Sequence, residues 1–335
     1  MREERKSTLS RKSNSKRKKI NRTYPVLLIV LLGLIAIAGL IFTAMHVGSA
    51  HAQTSYANKT ATNTTTANTI LNQSPSTNKT TILLSGLFPS RGFKTPIKLN
   101  NIVPELVSSG AINLTKLNEL YGNNLTQQEL DILTKPSYTN LTLNSSNANF
   151  YLLIFWALGI SNKNQVLDNF SALANASNYS VADLASTGGW TLGTNSNAMV
   201  YFNKLNLLSL TPLEQNEMYD VATHTYRPCC DNPTAFPDCN HGAALLALTE
   251  LGASEGLNAS QLYTLDLQAQ TLWFPSYYAT TALELNYKNV SYWSNPRIVL
   301  GRNYSTASGW YYNSYQPLKT NNQLPSAGQT ASCGA

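Results

Sequence analysis

The chain is poor in charge, histidine and cysteine. Of its 335 residues only 12% are Asp, Glu, Lys or Arg, and it has four His and four Cys. No G-x-S-x-G elbow, phosphate-binding P-loop, H-E-x-x-H helix or dinucleotide fingerprint occurs in it, which removes the common hydrolase, nucleotide and metalloprotease signatures. Strand patterns are weak, with Thr81-Ile-Leu-Leu the one tempting run, and there is no long repeat. A broad basic surface is also lacking. The formal net charge is +7, but residues 1–23 hold ten Lys or Arg and two Glu, leaving 14 basic against 15 acidic residues in the rest. Nucleic-acid binding needs a basic patch on the folded domain, and none is visible.

One long apolar run is present, from Pro25 to Val47. A hydrocarbon core takes about 20 apolar residues to cross, so this run is long enough. The basic flank stays in the cytoplasm, where it sets topology and lies near anionic lipid, and the remaining chain is outside. Ala50-His51-Ala52 before Gln53 has the form of a signal-peptidase site. Signal cores are usually only about 7–15 residues, so the length favours a retained single-pass anchor. The expected order is a basic cytoplasmic tail (1–23), a transmembrane signal anchor (24–47), a Thr/Asn-rich stalk (48–81), a helical ectodomain (82–317) and a flexible tail (318–335).

The stalk cannot bury enough apolar surface to offset its chain entropy. N-x-S/T sequons begin there at Asn58, Asn63, Asn72 and Asn78. They continue at Asn113, Asn124, Asn140, Asn144, Asn169, Asn175, Asn178, Asn258, Asn289 and Asn303. Exposed sequons in an exported chain accept N-linked glycans. An Asn/Ser/Thr-rich composition also makes some of them by chance.

Helical signals dominate the ectodomain, and the expected fold class is all-α. Thr126-Gln-Gln-Glu129 has the form of a capping box, and Thr211-Pro212-Leu-Glu214 adds Pro at the first helical position. The second helix runs through Met218 and Val221 towards His224, and Pro228 stops it by Arg227. Ser180-Val-Ala-Asp183 opens a shorter helix. Phe150 to Leu158 is apolar on all sides and too short for a membrane, which predicts a buried core helix. His241–Ala253 and Asn258–Trp273 form an antiparallel pair around Gly256, and a further helix covers Ser276–Leu285.

Every histidine beyond the anchor region, and all cysteines but Cys333, fall in one stretch: His224-Thr-Tyr-Arg-Pro-Cys229-Cys230-Asp-Asn-Pro-Thr-Ala-Phe-Pro-Asp238-Cys239-Asn240-His241-Gly242. Three readings are open. Exported cysteines, even in number, form disulfides: Cys229 or Cys230 with Cys239, the other with Cys333. That leaves the two histidines unexplained. Alternatively, Cys229, Cys230, Cys239, His241 and His224 are ligands for zinc, copper or a haem iron. Asn240 as N-cap would leave Cys239 in the loop and His241 on the first turn, and a helix N-terminus favours the thiolate. The spacing matches neither a zinc finger nor C-x-x-C-H haem attachment, and Cys239-x-His241 is only half of a Rieske pattern. The third reading is a Cys/His-dependent enzyme.

Two features stand apart. Ser186-Thr-Gly188-Gly189-Trp190-Thr-Leu-Gly193 is either a tight turn close to a ligand or, more often for such a run, a loop with an anchoring Trp; Trp310, Tyr311, Tyr312 and Tyr315 either form a sugar-binding platform or, the commoner case, pack on the core. The run Cys229 to Gly242, with Trp156-Ala-Leu-Gly and Ala185-Ser-Thr-Gly-Gly-Trp190 upstream, resembles uncharacterised exported prokaryotic proteins over residues 86–285. The resemblance implies no activity, only that these residues belong together.

Overall fold

The computed structural model describes residues 83–176, 180–182 and 190–324. They fall in one of the chain's two units, residues 62–335. The expected anchor, its basic flank, the stalk and the last eleven residues lie outside them, with His46, His51, Cys333 and the Ser186–Gly189 turn. Most of the helix expected from Ser180 lies outside them too. Among the described residues no helix is long and apolar enough to cross a membrane.

The fold is helical. Among the described residues nine helices carry it: α1 (Ile102–Ser108), α2 (Leu114–Leu120), α3 (Gln127–Thr134), α4 (Ala148–Ser161), α5 (Gln165–Ala176), α6 (Pro212–His224), α7 (Asn240–Ser254), α8 (Ala259–Trp273) and α9 (Pro275–Tyr287). A run of short helical turns follows, from Pro296 to Thr320. Two strands of two residues each pair antiparallel, with Phe93 opposite Leu143. Leu83 and Leu84, from the run that tempted a strand reading, are helical instead.

At the centre α4 packs along α7. Every residue of α4 except Asn149 is buried, as its uniformly apolar sequence predicts. In α7 only the two end residues, Asn240 and Ser254, escape burial. The close approach rests on Gly159, where a Cβ would overlap the Ala243 carbonyl. Against this pair pack α6 and α8, α9 packs on α8, and Trp273 Nε1 donates to Ala148 O at 3.1 Å, tying α8 to α4.

Local signals set the ends. Thr126, Thr211 and Asn258 each form a complete capping box with Glu129, Glu214 and Gln261. Pro212 opens α6, which stops at His224 before Pro228. The turn after α7 puts Gly256 at φ 79°, a left-handed conformation that glycine adopts without a Cβ penalty. Trp190 is buried edge-on against Trp156, ring centroids 5.2 Å apart. Of the late aromatics, Trp310 is anchored by its Nε1–H on Tyr277 O, whereas Tyr312 is 69% exposed and does not pack inward.

Candidate functional site

The 225–239 connection between α6 and α7 is pinned from several sides. Thr225 Oγ1 donates to Thr234 Oγ1 at 2.9 Å, and Tyr226 and Pro233 form an isolated antiparallel bridge. Outside the loop, Gln270 Nε2 of α8 donates to Tyr226 O, and Ala307 N–H to Cys230 O. The loop folds back on itself, bringing Cys229 and Cys230 to the start of α7.

Cys229, Cys230 and Cys239 converge there. Their three Sγ atoms all lie within 4.8 Å of one another, and all three residues are half-buried. Cys239 caps α7: its Sγ accepts the Gly242 N–H at 3.4 Å. This moves the helix start one residue upstream of the expected place. Asn240 cannot cap, because its Oδ1 accepts the His241 N–H at 2.9 Å. The sulfur therefore sits directly at the positive end of a helix of 15 residues.

Arg227 completes the site. Its side chain is fully buried. Nη1 donates to Pro233 O at 2.9 Å, and Nη2 to Phe236 O at 3.1 Å and to Asp238 Oδ1. Asn232 Nδ2 donates to the other Asp238 oxygen at 2.8 Å. The guanidinium lies flat on Gly242, where a Cβ would crowd Cζ at 2.8 Å. Burial works against the cation. Cys239, Cys230, Asp238 and Cys229 around it outweigh that, and the guanidinium is held charged.

The sulfurs share their protons unequally. Hydrogen bonds from Cys229 and Cys230 bring the Cys239 thiol well below its ordinary range, with Arg227 adding to the effect against burial. Cys230 is pushed up to about 11: the hydrogen bond from Cys229 acts to lower it, but bonding to Cys239 and burial prevail. The cluster thus places its first negative charge on Cys239, where an Arg, a helix N-terminus and two thiols stabilise it.

Neither histidine joins the three sulfurs. His224 ends α6 on the surface, its side chain 50% exposed, with Nδ1 2.7 Å from Asp220 O. His241 is buried, but it turns to the aromatic side of α7. Its ring lies 4.4 Å from that of Phe274, and Trp273 stands beside it. Asn240 Oδ1, already an acceptor from backbone, is 3.0 Å from His241 Nδ1, which makes Nδ1 the protonated nitrogen. Burial pushes the imidazole down to about 4, against the pull of Cys239. The five-residue arrangement expected from sequence is therefore not formed: three sulfurs meet, and the two rings face elsewhere. Arg227 is the site residue that sequence reading overlooked. Its signal was an Arg two places before Cys229 and an Asp directly before Cys239 in a charge-poor chain.

Comparison with protein-family models, with curated proteins and with solved structures gives no match.

Proposed function

We propose that the protein is a membrane-anchored, exported metal-binding protein, and that Cys229, Cys230 and Cys239 hold one thiophilic ion, zinc or copper. The convergence of three sulfurs on one point carries this reading. Zinc–sulfur bonds of about 2.3 Å put tetrahedral sulfurs roughly 3.8 Å apart. The sulfurs here are within 4.8 Å, so closure on an ion needs shifts of about 1 Å or less. Arg227 offsets one of the thiolate charges. Three sulfurs leave the fourth zinc position to solvent or an incoming ligand, as in sites that exchange or activate what they bind. A bare ion suits the cluster better than a haem, whose iron takes axial ligands from opposite faces.

The exported location rests on the 24–47 run and its basic flank. Glycosylation draws support from sequon exposure. Asn124, Asn140, Asn169, Asn258, Asn289 and Asn303 are exposed, and Asn113 and Asn144 half-exposed. A second reading draws on the same convergence. In an oxidising compartment Cys239 can pair with Cys229 or Cys230, making the cluster a staple of a structural surface glycoprotein. A Cys/His enzyme has less behind it, because His241 is occupied with Phe274.

Elemental analysis with thiol counting separates the readings. Full-length protein purified without chelator is expected to carry about one zinc or copper per chain. A metal-free protein with two thiols lost to a disulfide favours the staple. Protease added to intact cells should remove the domain and leave a membrane stub; a protected domain would overturn the topology.

A further inference from the structure

The donor set at the sulfur cluster narrows the ion it takes. Among the described residues the one group of three or more ligand side chains close enough to share an ion is Cys229, Cys230 and Cys239. Neither an imidazole nor a carboxylate joins it.

The harder donors nearby are each committed elsewhere. Asp238, directly before Cys239, gives one oxygen to Arg227 Nη2 and the other to Asn232 Nδ2 at 2.8 Å. Asp231, directly after Cys230, is exposed, and its Oδ1 accepts the Ser308 N–H at 2.9 Å. Tyr278 stands near enough to Cys229 to feel its charge, but its hydroxyl is shared between Gln270 Oε1 at 3.1 Å and Ser305 Oγ at 2.7 Å. His241 bonds Asn240 through Nδ1 and lies against Phe274, and His224 bonds Asp220 O. An ion at the cluster therefore meets three sulfurs and no other side-chain ligand.

Coordination number separates the candidates. Zinc takes four ligands in nearly every structural site, and here the fourth has to come from outside this donor set. Divalent copper favours square arrangements of nitrogen and oxygen, which the cluster does not offer. Monovalent copper is selected by thiolates, and three of them in a plane satisfy it. Given metal–sulfur bonds of about 2.3 Å, three sulfurs around an ion in their own plane are roughly 4.0 Å apart. That lies inside the 4.8 Å within which these sulfurs are gathered. Three thiolates around a single positive charge leave an excess of negative charge. The buried guanidinium of Arg227 and the N-terminus of α7 both act against that excess.

We propose that the cluster is a site for monovalent copper, held by Cys229, Cys230 and Cys239 alone and in preference to zinc. The assignment rests on the metal-binding reading of the same cluster and narrows it to one ion, one oxidation state and three ligands.

The test uses the full chain, reduced and kept free of oxygen. Titrated against the bicinchoninate complex of monovalent copper, it should withdraw about one copper per chain. X-ray absorption at the copper edge should then show three sulfur neighbours and no nitrogen or oxygen. Offered an equal amount of zinc, the loaded chain should keep its copper. Cys229→Ser, Cys230→Ser and Cys239→Ser should each weaken the competition at least about tenfold, since even a supporting residue at a metal site is worth that much. His241→Phe keeps a ring against Phe274 and should retain the copper in a protein whose helical circular dichroism matches the parent. A nitrogen or oxygen neighbour at the copper edge overturns the proposal whether or not the variants fold. Displacement of the copper by zinc overturns it too, and leaves the metal-binding reading standing. A reduced chain that takes up neither ion overturns both.

Discussion

Arg227→Met is expected to separate the sulfur cluster from the fold that positions it. The guanidinium has no exposed surface, and it ties Pro233 O, Phe236 O and Asp238 into one turn. Methionine fills much of the volume but answers none of these acceptors. Each of the two backbone carbonyls loses one of its two donors, keeping the Phe236 N–H on Pro233 O and the Asp238 N–H on Phe236 O, while the Asp238 carboxylate, 17% exposed, loses its cation and keeps the Asn232 amide. Removing one partner of a buried ion pair costs about 3–5 kcal/mol, because the other charge stays behind uncompensated. That is a large part of the roughly 5–15 kcal/mol that holds a domain together. Asp238→Asn removes the opposite charge, and the double substitution removes both. The double variant should cost less than the two single costs added, by about 0.5–3 kcal/mol, the range for residues in direct contact.

Urea unfolding of the four proteins measures this cycle. Reaction with a chromogenic disulfide reagent at pH 7 provides a second readout. Without Arg227 the Cys239 thiolate loses a stabilising charge, and the fast-reacting thiol should slow. Additivity within about 0.5 kcal/mol, or an Arg227→Met protein as stable as the parent with unchanged thiol kinetics, would refute the reasoning.

Three further outcomes follow from the same structure. Burial holds the Glu250 carboxyl near 7, above its ordinary 4.5, so its stabilising contribution is full below pH 4.5 and is lost as pH rises through 7. Glu250→Gln should therefore gain up to about 3 kcal/mol on the parent between pH 4 and pH 8, and a pH-independent difference in urea unfolding would count against it. Gly159→Ala drives a methyl into the Ala243 carbonyl and should cost at least about 1–3 kcal/mol by separating α4 from α7; a neutral effect on thermal unfolding would mean the helices are not so close. Cys239→Ser should abolish zinc or copper uptake measured by elemental analysis, while His224→Ala leaves it intact; the reverse pattern would restore the exposed histidine to the ligand set.

Much of the fold was legible because its determinants are local. A capping box is settled within four residues, and Thr126, Thr211 and Asn258 form theirs as the sequence implies. The central helix was equally plain, since a run apolar on every side has nowhere to go but inward. The short helices were not foreseen. In α1 and α2 the residues that hold them, Leu106 and Leu117, act by burial against distant parts of the chain. The helix α5 was missed for the same reason: its cap, Asn164, is fixed by Asn203 far along the chain.

The site shows where such reading stops. A loop of this length can fold back and bring its ends together, so a meeting of the cysteines stood as one of three open readings. Which other side chains would face them did not follow from the sequence. The planar guanidinium of Arg227 fills the space beside Gly242, because the bare glycine lets it lie flat and three acceptors of the loop meet its fork. The imidazole, neutral and apolar-faced, found a better surface on Phe274. A histidine near cysteines is thus not yet a ligand. Its ring goes where its burial is best answered, and here that is an aromatic pocket built by the junction of α8 and α9. The positive charge that a thiolate cluster needs comes instead from Arg227, the residue two places before the first cysteine.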